Sequence, residues 1–83
     1  MPKRNFAELM LENEAERVCL ANKNVGMRFT PLHHRSTPTC VRIVTIDVHA
    51  LKLVAKEFAS EGWNVAGPFI KLDGLRYIEI YAK

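Results

Sequence analysis

The sequence predicts one small α+β domain spanning residues 1–83, with two helices and a four-stranded, mainly antiparallel sheet in the order α-β-β-α-β-β. Three observations predict it. Helical periodicity occurs twice, over residues 6–21 and again after Asp47. The run CVRIVTI at residues 40–46 is rich in β-branched residues, and Asp73-Gly74 separates two strand-like stretches near the end.

The first helix takes FAELMLENEAERVCLA, where good helix formers dominate and Asn5 followed by Glu8 resembles a capping box. Ala7, Leu11, Ala15 and Val18 recur at steps of four and three and mark its core stripe. Phe6, Leu9 and Met10 add apolar surface beyond that stripe, so the helix is greasy on more than one side. Asn22, Asn24 and Gly26 supply the stop. Residues 25–32 alternate as a strand, with Val25, Met27 and Phe29 on one face and Arg28 and Thr30 on the other. In the stretch PLHHRSTPTC that follows, Pro31 and Pro38 disfavour helix and residues 33–38 hold no apolar anchor, which predicts an exposed loop between strands.

Asp47 is placed to cap the second helix. Leu51, Val54, Ala55 and Phe58 form its core stripe, His49, Lys52, Lys56 and Ser60 its wet face, and Gly62 its end. The remaining chain reads as a hairpin. A type I′ turn at Asp73-Gly74 sets Leu72 against Leu75, Lys71 against Arg76, Ile70 against Tyr77 and Phe69 against Ile78. Pro68 cannot donate to a ladder, so its strand is an edge, which gives the spatial order 1-2-4-3. That register places Ile70, Leu72, Leu75, Tyr77 and Tyr81 on one face, and Val65, Phe69, Ile78 and Ile80 on the other. One helix covers only one face, and the first helix is the expected cover for the second. If it lies elsewhere, a tyrosine-rich patch stays open, as protein interfaces do.

Composition excludes several classes. With 48% apolar and 25% charged residues the chain is an ordinary globular one. No apolar run approaches the roughly 18 residues of a membrane span. The basic start lacks an apolar segment behind it, because Glu8, Glu12 and Glu14 interrupt, so a cytoplasmic, unprocessed protein is expected. Two cysteines, Cys19 and Cys40, are too few for a disulfide scaffold and read as free thiols.

The chemistry on offer is sparse. His33, His34 and Cys40 are three ligand types without a fourth, adjacent histidines point apart, and no CxxC or HxxxH spacing occurs, so neither metal nor cofactor is expected. Cys40 opens an apolar strand, where a thiol is buried and inert, and no phosphate loop or carboxylate pair appears; no enzyme is expected. Charge is segregated: residues 5–22 carry four glutamates against Arg17, whereas residues 23–46 carry no acid. The expected function is a non-enzymatic module that docks on another protein, with a homodimer as one form it can take, in the manner of small inhibitors from phages and other mobile elements. The apolar candidates are Phe6, Leu9, Met10, Ile70, Leu72, Tyr77 and Tyr81. The alternative is a nucleic-acid-binding module built on the basic hairpin of residues 28–42. Its phosphate or protein contacts would be Arg28, His33, His34, Arg35 and Arg42, joined by Lys71 and Arg76.

Overall fold

The computed structural model describes residues 6–32 and 40–81. Helix α1 (Phe6–Ala21) leads through a single 3₁₀ turn (Lys23–Val25) into strands β1 (Arg28–Leu32) and β2 (Cys40–Thr45). Helix α2 (Val48–Ser60) and strands β3 (Asn64–Ile70) and β4 (Arg76–Tyr81) follow. The strands form one antiparallel sheet in the order β1-β2-β4-β3, as the sequence predicts. β2 and β3 both oppose β4 and therefore run parallel to each other, with α2 crossing between them; this is a split β-α-β unit.

β2 and β4 are the central strands, and alternate residues of each are buried: Val41, Ile43 and Thr45 on one, Ile78 and Ile80 on the other. Leu11, Ala15, Val18 and Cys19 of α1 and Leu51, Val54 and Phe58 of α2 close a single core over them. Both helices thus lie on one side of the sheet, and the expectation that α1 covers the opposite face is corrected. The reason is width. Four strands at about 4.8 Å spacing make a floor wider than one helix of about 10 Å, so covering it takes two.

The sequence signals at α2 hold. Asp47 Oδ1 accepts from the Ala50 N–H at 3.1 Å, and Gly62 follows the helix with its N–H on the Ala59 carbonyl. β1 begins at Arg28 rather than Val25, because Val25 belongs to the 3₁₀ turn and Gly26 turns left-handed at φ 64°. Thr45 ties these parts together. Its hydroxyl, in a residue only 1% exposed, donates to the Val25 carbonyl at 2.7 Å and accepts from the Asp47 N–H at 3.2 Å.

The last hairpin departs from its expected register. Lys71 N–H donates to the Leu75 carbonyl at 2.8 Å and Gly74 N–H to the Lys71 carbonyl at 3.0 Å, closing a three-residue loop. Only Gly74 takes positive φ, at 87°; Asp73 does not, and its Oδ1 accepts the Leu75 N–H instead. A type I′ turn would need both residues there. Ile70 therefore faces Arg76 and Phe69 faces Tyr77, and Lys71 is not opposed to Arg76. A slip of one residue turns side chains to the other face, so Ile70 leaves the Tyr77 and Tyr81 face and Phe69 joins it, while Leu72 falls in the loop beyond β3. A bulge between Ala66 and Phe69 then returns Val65 to the expected face, that of Ile78 and Ile80, where it stands opposite Ile80.

Two stability outcomes follow from these contacts. Thr45→Val keeps the shape but strands the Val25 carbonyl and the Asp47 N–H, and should cost about 1–3 kcal/mol in urea unfolding. Alanine at Gly67 should lower the melting temperature more than alanine at Gly74. Both have positive φ, but a Cβ on Gly67 would sit 3.0 Å from the Tyr77 carbonyl oxygen, whereas Gly74 has open space. Equal losses would contradict the bulge geometry.

Candidate binding surface

The side of the sheet away from the helices carries three rows that cross all four strands. In register these are Arg28–Val44–Tyr77–Phe69, Thr30–Arg42–Glu79–Ala66 and Leu32–Cys40–Tyr81–Asn64. The alternation that buries Val41, Ile43, Ile78 and Ile80 sends these neighbours outward.

The middle of this face is a tied network. Arg42 Nη2 donates to Glu79 Oε2 at 2.9 Å, and the Tyr81 hydroxyl donates to Glu79 Oε1 at 3.2 Å. The Arg42 guanidinium lies over the Tyr77 ring at 4.6 Å, and Tyr77 packs on Phe69 with centroids 5.1 Å apart. Arg42 Nε is buried without an acceptor among the described residues. Beside this network, Arg42, Tyr77 and residues 70–73 frame a concavity of about 380 Å³, with exposed Ile70 and Leu72 on its rim.

The thiols are placed for structure. Burial, then the Glu79 carboxylate, pushes the Cys40 thiol up, only partly offset by its hydrogen bond with Tyr81 and by Arg42. Burial pushes Cys19 up from 9.0 to about 11. Both cysteines are free, and they lie on opposite sides of the sheet, Cys19 in the helix-covered core and Cys40 in the outward row.

The structure divides the residues singled out in the sequence. Arg42 and Lys71 border the concavity, and Arg28 heads an outer row on edge strand β1. Arg76 stands in register with buried Thr45 on the helix side, apart from them. Tyr77 and Tyr81 lie on the open face, while Phe6, Leu9 and Met10 are exposed on α1, across the sheet. His33, His34 and Arg35 lie outside the described residues. Among the described residues no three potential ligands gather around a metal position, and no helix is long and apolar enough to cross a membrane. Glu79 and Phe69 are the members the sequence reading missed. Glu79 had a signal: it stands between Ile78 and Ile80 as Arg42 stands between Val41 and Ile43, so strand alternation aims both the same way.

Two measurements check this arrangement. The Arg42 and Glu79 side chains are 35% and 18% exposed, between surface and buried pairs, so Glu79→Ala should cost about 1–2 kcal/mol. Adding Arg42→Leu to it should recover part of that loss; strict additivity would mean the pair is not coupled. The Cys19 shift gives a pH outcome. A thiol whose folded pKa is raised keeps its proton while the unfolded chain loses its own, so stability is full below about pH 9 and falls towards about pH 11. Urea midpoints from pH 8 to 10.5 should show that decline, and Cys19→Ala should flatten it.

No family model matches the chain, no curated protein matches it, and no solved structure matches it.

Proposed function

We propose that this chain is a non-enzymatic docking module of the cytoplasm that binds another protein through the open face of its sheet. The observation that carries this reading is the placement of both helices on one side, which leaves the Phe69–Tyr77–Arg42 stack uncovered by either helix, with exposed Leu72 of the adjoining loop beside it. Aromatic residues and arginine on a mixed apolar and polar ground are what protein interfaces concentrate. The internal neutralisation of Arg42 by Glu79 favours the same reading, since a partner meets a surface already paired and pays little desolvation there. Against catalysis stand two buried thiols with raised pKa values and a shallow concavity with no nucleophile and base together among the described residues. A small inhibitor or regulator from a phage or other mobile element fits this description.

A second reading, nucleic-acid binding, draws on one observation: Tyr77, Tyr81 and Phe69 share an uncovered face with Arg28 and Arg42, as base-stacking platforms do. It is the weaker of the two. Arg42 is engaged with Glu79, Arg76 stands on the helix side, and the basic residues do not converge.

A photo-crosslinking amino acid placed at Leu72 in the protein's own host, with a second placed at Ser60 on the helix side as control, separates the readings. An adduct with another protein is expected from position 72, and from position 60 none other than with a second copy of this chain. A nuclease-sensitive adduct would establish the second reading, and no adduct from position 72 would refute both.

A further inference from the structure

The helix side carries its own unpartnered surface, independent of the open sheet face. Phe6, Leu9, Met10 and Leu20 of α1 are exposed on the side away from Leu11, Ala15 and Val18, and Leu53 of α2 is 58% exposed. These side chains lie on two neighbouring helices that Arg17 clamps together, through Glu14 at 2.9 Å and Glu57 at 2.8 Å. The charges around them are unlike. α1 holds four glutamates against one arginine, whereas on α2 exposed Lys52 and Lys56 stand beside His49 and the one acid, Glu57, is taken by Arg17.

We propose that the outer surface of the two helices is a homodimer interface, in which α1 of one copy lies over α2 of the other about a two-fold axis parallel to the helices. Three facts select a second copy as the occupant. First, α1 over α1 would set acid on acid, but α1 over α2 sets the Glu16 side of one copy near Lys52 and Lys56 of the other, and two-fold symmetry makes that contact twice. Second, strand-to-strand association is hindered, because both edge strands contain a proline, Pro31 in β1 and Pro68 beside the β3 bulge. Third, the area suits a reversible dimer. Sixteen residues of α1 are about 24 Å long and two helices side by side about 20 Å wide. That footprint is on the order of 500 Å² per copy, below the roughly 800 Å² of a standard interface and so of modest affinity. The open sheet faces of both copies point outward in this arrangement and stay available to a partner.

Sedimentation equilibrium over a concentration series into the hundreds of micromolar tests the proposal, with circular dichroism to confirm folding of each variant. The wild-type mass should rise from one chain towards two. Glu16→Lys and Lys56→Glu should each weaken association at least tenfold, and the two together should restore it, because the reversed charges again oppose. Leu53→Ser should also weaken the dimer, and Leu72→Asp on the sheet side should not. A chain that stays monomeric throughout overturns the proposal, and so does a dimer that Leu72→Asp breaks or that the double charge reversal fails to restore. None of these outcomes touches the crosslinking result at position 72.

Discussion

Burial of Val41, Ile43, Ile78 and Ile80 under two helices is the constraint on which the rest of this structure depends. These four side chains belong to the central strands, and no water reaches them from the sheet edges. At roughly 1.5–3 kcal/mol for each fully buried aliphatic side chain, their row outweighs any single polar contact in the molecule. Placing both helices on that side satisfies the row and settles everything opposite it. The neighbours in alternation, Arg42, Tyr77, Glu79 and Tyr81, are left without a helix and satisfy one another instead.

The polar network on that face is the consequence of a shortage of cover. A guanidinium over a ring, paired to a carboxylate that also takes a tyrosine hydroxyl, keeps charge and hydrogen bonds matched at a half-exposed surface. The same arrangement leaves the aromatic rings outward at the edge, where Phe69 packs on Tyr77. A surface of this kind costs little to keep in water and gains from being covered, which is the physical content of the docking proposal.

Much of the fold was legible in the sequence, because the signals there are local. The step of three and four in both helices, the Asp47 cap and the proline that sends β3 to the edge each act through backbone geometry within a few residues. What failed was not local. Asp73-Gly74 fits two loop lengths, and the choice between them turns on whether Asp73 takes positive φ or uses its carboxylate on the Leu75 N–H. That choice exchanged the faces of Phe69 and Ile70. The side on which α1 lies was likewise hidden, since an apolar girth as broad as that of α1 offers more than one face to a sheet. Arg42 with Glu79 was within reach, but pairing across strands 37 residues apart needs the sheet order before the alternation can be used.

The central claim, that one side of the sheet is sealed by two helices and the other is open, is most directly tested by solvent relaxation in nuclear magnetic resonance. A neutral paramagnetic agent in the buffer broadens side-chain signals according to their depth. Strong broadening is expected of the Phe69 ring and the Leu72 methyls, intermediate broadening of the Tyr77 ring, and almost none of the Ile43, Ile78 and Ile80 methyls. Equal protection of Phe69, Tyr77 and the isoleucines in the dilute monomer would mean that something covers the second face, and would contradict it.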